Sequence, residues 1–237
     1  MDIEYTLGVF SDPHANHAAL TAVLEDMISK YPILKVACVG DIVGYYSEPS
    51  PVLKQVLEVS DFIVRGNHDD AVAKNYIPKD FNQFAAQAVQ HSINQLSTNE
   101  KRILYNLQPI ETISFEGKSV QFVHGSPEYP LDYYVFDGSK DQDEIAQFME
   151  FCELDIIFMG HTHRPYIRKM SNEKILANPG SAGQPRDGDN RPSYLVFDVK
   201  NGVGEIQRVK YDYEITIEKM KEAGLPEQLG NRLRRGK

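Results

Sequence analysis

Residues 6–30 read TLGVFSDPHANHAALTAVLEDMISK: an apolar run, a polar turn and an amphipathic segment. The short apolar run at 6–10 is typical of a buried strand. From residue 16 to 30 the apolar residues recur at helical spacing, which predicts a helix with one buried face formed by Ala19, Leu20, Val23, Leu24, Met27 and Ile28. Strand, turn and helix in this order begin a β-α-β unit.

The same order continues through the next segments. Strands are predicted at 36–39 and 62–64, with a helix at 51–58 between them. Repeated β-α-β order indicates parallel strands joined by right-handed crossovers. Two polar-faced helices are predicted between residues 81 and 106, the second capped by Thr98.

The second half of the chain is richer in strands. A hairpin is predicted at 111–124, a helix at 141–152 and a strand at 155–159. Four later strands, at 166–170, 174–177, 193–199 and 205–210, are predicted to form a mostly antiparallel meander. The chain is therefore predicted to be α/β, with two sheets packed on each other and helices outside.

Composition limits the kinds of partner. The 237 residues carry a net charge of -9, which opposes broad binding to nucleic acid. No apolar run reaches membrane-spanning length, and residues 1–5 hold no signal core, so we expect a cytoplasmic protein without a membrane partner. Cys38 and Cys152 form no metal-binding spacing and are expected to be reduced and packed.

Polar clusters follow five of the apolar runs, and they hold five of the seven histidines. Any one cluster could be a turn or a helix cap. Together they indicate a site at the edge where strands end, with imidazole, carboxylate and amide ligands typical of Mn, Fe, Zn, Co or Ni. The clusters are Asp12-Pro13-His14, Gly40-Asp41, Gly66-Asn67-His68-Asp69, His124-Gly125 and Gly160-His161-Thr162-His163.

These motifs resemble those of the calcineurin-like metallophosphoesterases. The resemblance runs from Asp12 to about Asp198 and is specific at the level of the superfamily. The run at 178–188, NPGSAGQPRDG, is further similar to a compact prokaryotic subgroup described as phosphodiesterase-like or related to diadenosine tetraphosphatases. The resemblance implies a four-layer α/β/β/α sandwich of two mixed sheets flanked by helices. We expect one such domain at 1–210 and a helical extension at 211–237, whose basic end is interpreted as a solvated tail.

The resemblance also implies a dinuclear site. One divalent ion would be held by Asp12, His14, Asp41 and His163, and the other by Asp41, Asn67, His124 and His161, with Asp41 bridging. A hydroxide shared by the two ions would attack phosphorus in line. The expected substrate is a small phosphoester, with a nucleotide-like molecule favoured. Its identity, the native metals and the oligomeric state, with a homodimer as one option, stay open.

Further residues are assigned roles near this site. His68 is the candidate general acid, with a loop histidine as the alternative. Asn67 and Arg186 are candidate substrate contacts, although Arg186 could equally be a surface residue. Four aromatic residues after His124 either pack locally or form a stacking wall: Tyr129, Tyr133, Tyr134 and Phe136. His17 and His91 fall outside the motifs.

Three positions depart from the expected pattern. Gly44 stands where the related serine/threonine protein phosphatases have an Asp that supports the catalytic His. Ala15 replaces a usual Gly and is expected to place a methyl group beside the metals, and residues 46–49 replace a Gly-Pro turn. The rival hypotheses are a non-catalytic protein-interaction scaffold on the same fold and a nuclease. The complete ligand set opposes the first, and the lack of a basic track opposes the second.

Overall fold

Strands and helices alternate from β1 to α3 and then come in longer runs of one kind along residues 6–237, the part of the chain that the computed structural model describes. The expectation about residues 1–5 lies outside that part. In chain order the elements are β1 (Leu7–Phe10), α1 (His17–Lys30), β2 (Lys35–Cys38), α2 (Pro49–Val59), β3 (Phe62–Ile63), α3 (Asn67–Ala73), α4 (Gln83–Gln95), α5 (Thr98–Asn106), β4 (Ile110–Phe115), β5 (Lys118–Val123), α6 (Asp141–Phe151), β6 (Ile156–Phe158), β7 (Tyr166–Lys169), β8 (Ile175–Asn178), β9 (Ser193–Asp198), β10 (Val203–Arg208), α7 (Tyr213–Glu222) and α8 (Glu227–Arg235).

The strands form two mixed sheets of five. The first has the order β10-β9-β1-β2-β3, with β1, β2 and β3 parallel as predicted. The second has the order β4-β5-β6-β8-β7, with β5, β6 and β8 parallel. The predicted late meander is wrong, because β7 and β8 belong to the second sheet whereas β9 pairs with β1 of the first. Strand periodicity fixes the faces of a strand but not its partner.

Four layers result, and the α/β/β/α prediction is confirmed. Side chains of both sheets meet in the middle, where Phe62, Phe122 and Phe158 stack in a row and Phe197 meets Phe158 edge-on. The outer faces are covered by helices, including α1 and α2 on the first sheet and α6 on the second. In α1 five of the six predicted core residues are buried, but Ile28 is 59% exposed, at the margin of the apolar face.

Three local predictions are corrected by the structure. The cap of α5 is Ser97 rather than Thr98: its hydroxyl accepts from the Glu100 backbone N–H, and the Glu100 carboxylate accepts from the Ser97 N–H. Residues 67–73 form a helix where a turn was considered. Cys38 is buried as expected, but Cys152 lies exposed just after α6.

The end of the chain is a packed helix rather than a solvated tail. Leu229 and Leu233 of α8 are fully buried, in an apolar cluster that also contains Ile217 of α7 and Tyr46. These leucines lie on one face of α8, because residues four apart share a face of a helix. No helix within residues 6–237 combines the length and apolar character needed to span a bilayer.

Candidate metal centre

Parallel strands of both sheets end at the same edge and bring the predicted ligands together. Asp12 follows β1 and Asp41 follows β2, while His124 follows β5 and His161 lies beyond β6. Seven predicted ligands were separated by up to 151 positions in the sequence, and six of them, all but the half-buried Asn67, are less than 5% exposed. The fold therefore buries a dense group of titratable side chains whose burial the hydrophobic effect does not favour.

The short distances among these side chains define two adjoining groups. Nε2 of His163 lies 3.2 Å from Oδ1 of Asp12, and Nε2 of His124 lies 3.2 Å from Oδ2 of Asp41. Nε2 of His14 lies 3.6 Å from the same Asp41 oxygen, which joins the groups. The ligand atoms within each of the sets Asp12-His14-His163 and Asp41-His124-His161 lie within 4.8 Å of one another, and the same holds for a third set, His14-Asp41-His68, that overlaps both.

Three imidazoles are oriented by backbone carbonyls on the side away from this centre. Nδ1 of His14 donates to the Val43 carbonyl at 3.0 Å, Nδ1 of His124 to Val39 at 2.8 Å, and Nδ1 of His163 to Gln184 at 2.5 Å. A carbonyl can only accept, so Nδ1 carries the proton of each neutral ring and Nε2 presents a lone pair inward.

The inward nitrogens face other electron-rich atoms. Nε2 of His14 and Nε2 of His163 lie 3.2 Å apart, and with both protons on Nδ1 no hydrogen bond joins them. Four further buried atoms have no hydrogen-bond partner among residues 6–237: Asp12 Oδ1, Asn67 Oδ1, His124 Nε2 and His161 Nε2. Lone pairs gathered in this way repel one another unless positive charge lies between them, so the donor set fits metal ions.

The acid–base properties of the group point the same way. Burial favours the neutral form of Asp41, but the surrounding histidines outweigh it and hold the pKa of that carboxyl well below its usual range. Burial also lowers the pKa of His124, but the attraction of Asp41 and Asp12 prevails and raises it to about 10. Burial lowers the pKa of His161 to about 3. A proton on His124 thus partly neutralises the negative charge of the carboxylates. A bound metal cation would neutralise it more fully.

The backbone is held in an unusual conformation at the same positions. Asp12, His14, Asp41, His161 and His163 all have positive φ, between 47° and 65°. This left-handed region is uncommon for residues other than glycine, and such strain gathers at functional sites. It places each side chain at a turn directly after a strand, where polar groups can converge from both sheets.

Asp69 is a supporting residue to which the sequence reasoning gave no role. Its carboxylate accepts from the backbone N–H groups of Val43 and Gly66, at 3.1 and 3.0 Å, which ties together the turns after β2 and β3. Burial, together with the charge of Asp41, raises the pKa of Asp69 to about 7. Its place two residues after Asn67 was the available signal, since an Asp at the third position of a helix can cap it.

His68 lies above this group, at the start of α3. Its ring packs against His14, Tyr45 and Phe81 with centroid distances of 4.6 to 4.8 Å, and its backbone N–H donates to Oδ1 of Asp41. No acidic partner supports the ring: Nδ1 is buried without a hydrogen-bond partner among the described residues. Burial lowers the pKa of His68 to about 4, below the near-neutral value expected from the sequence.

The close approach of the His68 ring to residue 44 explains why this position has a glycine rather than an Asp. A Cβ atom built there would lie 2.4 Å from Nδ1 of His68, and the residue has a φ of +93°. Any side chain would therefore push the imidazole away. The His68 ring can occupy its position only because residue 44 has no side chain.

The other two departures serve packing. Ala15 is 1% exposed, and its methyl group belongs to the apolar cluster of Tyr46, α7 and α8. In the turn at 46–49, Glu48 pairs with Lys219 of α7 at 2.6 Å. The turn therefore anchors the end of the chain.

A cleft of about 190 Å³ opens over the centre. It is lined by Asp41, Asn67, His68, His161 and His163 together with Arg186, so the two predicted substrate contacts face the same space as the candidate acid. Tyr134 stacks on the His161 ring with centroids 3.9 Å apart. Tyr129 and Tyr133 line a different pocket, so the four aromatic residues do not form one wall.

The remaining histidines lie outside this centre. His17 is paired loosely with Glu48 at 4.0 Å, and His91 meets the backbone oxygen of Ser47. Neither belongs to the groups of potential metal ligands among the described residues.

Comparison with known proteins agrees with the architecture. A model of the calcineurin-like phosphoesterase superfamily domain matches residues 5–202. The chain is 35% identical to the uncharacterized protein MJ0912 of Methanocaldococcus jannaschii over 246 residues, 98% of each chain. It is similar to the crystal structure of a metallophosphoesterase from Sphaerobacter thermophilus, with 32% identity, a TM-score of 0.79 and 98% of both chains covered. The hypothetical protein PH1004 of Pyrococcus horikoshii shares the fold, with a TM-score of 0.87, 21% identity and 98% of both chains covered.

The match extends over most of the chain and includes every strand that supplies a predicted ligand. The relatives of similar sequence are aligned almost end to end. The chain belongs to the calcineurin-like phosphoesterase superfamily.

Proposed function

We propose that this protein is a dinuclear metal-dependent phosphoesterase that hydrolyses a small, nucleotide-like phosphoester. The observation that carries the proposal is the inward convergence of imidazole Nε2 atoms on buried carboxylates, each ring oriented by a backbone carbonyl. An apolar core gains nothing from such a cluster, whereas a pair of cations would satisfy it. Membership of the superfamily supports the same reaction class.

Two ion positions fit the donor atoms. Asp12, His14, Asp41 and His163 would hold one, and Asp41, Asn67, His124 and His161 the other. The short Asp41 contacts to His14 and His124 support its role as the shared ligand. When bound, two divalent ions of this kind supply an activated water and neutralise charge on the phosphate oxygens.

The residues of the chain would position the substrate and manage its proton. Arg186 is placed at the cleft to bind a phosphate oxygen, and Asn67 offers an amide next to it. His68 would donate a proton to the leaving oxygen through Nε2, since Nδ1 is turned towards Gly44. The low pKa of the free His68 makes bound phosphate important, because a neighbouring anion favours the protonated ring.

The proposal is tested by hydrolysis of bis(p-nitrophenyl) phosphate with purified, Mn²⁺-supplied variants. Asp41→Asn removes the negative charge and one of the two oxygens of the shared ligand and is expected to abolish turnover. His68→Ala is expected to lower kcat by a factor of about 10² to 10⁴, the usual contribution of a general acid. His91→Ala is the matched control, since His91 lies outside the cluster.

Unchanged turnover in Asp41→Asn would contradict the dinuclear mechanism, and unchanged turnover in His68→Ala would contradict the role of His68 as the general acid. The wild-type protein would also be tested against aryl phosphomonoesters, which separates phosphodiesterase from phosphatase activity. Metal content measured on untreated protein identifies the ions. If a metal-loaded protein cleaves no phosphoester, the enzymatic proposal fails.

A further inference from the structure

A second pocket adjoins the metal cleft, and its wall is strongly cationic. It measures about 600 Å³ and is lined by Arg164, Arg186, Asp187, Gly188, Arg232 and Lys237. Four of these six residues are cations, in a chain whose net charge is -9. Arg186 also lines the metal cleft, so the two spaces lie side by side and share this residue as part of their walls.

The cations of this pocket lack acidic side-chain partners. Within residues 6–237 the arginines that form ion pairs with Asp or Glu side chains are all outside it. The one acid of the pocket, Asp187, is paired with Arg208 and so does little to neutralise its neighbours. Guanidinium groups that lack acidic side-chain partners and share a concave wall attract anions strongly, and phosphate most of all.

The guanidinium groups are held in place rather than free to move. Arg186 donates from Nε and Nη2 to the side-chain oxygen of Gln184, and Arg164 donates from Nε to the Arg186 backbone oxygen. Arg186 and Arg232 both lie over the ring of Tyr45, at 5.3 and 5.8 Å from its centroid. These contacts reduce the entropy that would be lost when an anion binds.

The last helix brings Arg232 to this position. Buried Leu229 and Leu233 fix α8 against the domain, and the Gly188 N–H donates to the Gly236 oxygen at 2.9 Å. The Arg232 Nε donates to the backbone oxygen of Lys237, which keeps the end of the helix at the pocket. Residues of α8 thus contribute directly to a wall that begins at the metal cleft.

We propose that this cationic pocket is a second anion-binding subsite, which takes a distal phosphate of the substrate while the scissile phosphate lies over the metal centre. The substrate would then be a phosphoester with at least two phosphate groups. This inference rests on the proposed function and narrows it to that class. Arg186 would bridge the two phosphates, and Arg164 and Arg232 would bind the distal one.

Binding measurements test the subsite without turnover. Titration calorimetry on the full-length Mn²⁺-loaded protein would compare thymidine 3′,5′-bisphosphate with thymidine 5′-phosphate, and ADP with AMP. At least one diphosphate is expected to bind about tenfold more tightly than its monophosphate, as one good charge-assisted contact allows. Arg232→Gln and Arg164→Gln are expected to remove that advantage. Arg235→Gln is the matched control, because Arg235 is exposed on the same helix and does not line the pocket.

Hydrolysis provides the second readout. The p-nitrophenyl ester of thymidine 5′-phosphate and its 3′-phosphorylated form share a scissile bond and a leaving group. Arg232→Gln is expected to raise KM about tenfold for the second ester only, with kcat unchanged.

The outcomes separate the two proposals. If no ester is cleaved but the diphosphate advantage depends on Arg232 and Arg164, the phosphoesterase assignment fails and the anion subsite stands. If esters are cleaved but neither diphosphate is favoured, or if Arg232→Gln and Arg164→Gln match Arg235→Gln, the subsite is overturned. Because these two arginines come from different elements, a folding defect in one variant does not decide the result.

Discussion

Substitution of Gly44 by Ala should separate the position of His68 from the stability of the fold. The added Cβ would lie 2.4 Å from Nδ1 of His68, so the ring must retreat by about 1 Å to reach ordinary van der Waals contact. A displacement of about 1 Å in a catalytic group can cost on the order of 100-fold in rate. The positive φ of residue 44 adds about 1 to 2 kcal/mol of destabilisation for any residue with a side chain.

The assay is kcat for bis(p-nitrophenyl) phosphate with Mn²⁺, together with the Tm of each variant. Gly117→Ala is the matched control, since Gly117 also has positive φ, at +76°, but has open space around it. Both variants should lose Tm, by about 2 to 4 °C per kcal/mol for a chain of this size. Only Gly44→Ala should lose activity. If Gly44→Ala keeps the kcat of Gly117→Ala, the position of His68 does not limit the reaction.

Three further results are expected. Mn²⁺ added to metal-free wild-type protein should raise the Tm measured by calorimetry, and at one hundred times Kd the gain should correspond to about 2.7 kcal/mol. The gain should be smaller in His161→Ala, and an equal gain in this variant and the wild type would place the ion elsewhere. Cys152 should react with a thiol reagent in the folded protein, whereas Cys38, whose thiol pKa is raised by burial, should react only after unfolding; prompt reaction of both thiols would contradict the packing around β2. Leu229→Ala should cost about 2 to 5 kcal/mol in urea unfolding, while Gln228→Ala at an exposed neighbouring position should cost little, and similar values for both would show that α8 contributes no core.

Local sequence patterns predicted most of the elements, because each depends on neighbours along the chain. The spacing of apolar residues located α1, and short apolar runs located β1 and β2 to within about a residue. The motifs at Asp12, Asp41 and His161 indicated metal-binding chemistry for a similar reason. Each is a short polar turn directly after a buried strand.

The pairing between strands far apart in the chain was not predicted from the sequence. The meander prediction failed because β8 and β9 are continuous, mostly apolar runs buried at every position, which suit either sheet equally well, and only the packing of whole layers selects their partners. The predicted solvated tail failed for a related reason. A single leucine in a basic segment looks exposed until α7, Tyr46 and α8 are seen to share one apolar cluster.

The sequence by itself determined which side chains are present to bind metal and that these side chains follow strands. The tertiary structure decided their relations, including the inward lone pairs of His14 and His163, the close fit of His68 over Gly44, and the approach of Arg232 to Arg186. The physical reason is that chemistry resides in individual side chains, whereas distance, burial and the direction of a lone pair arise only when remote segments pack together.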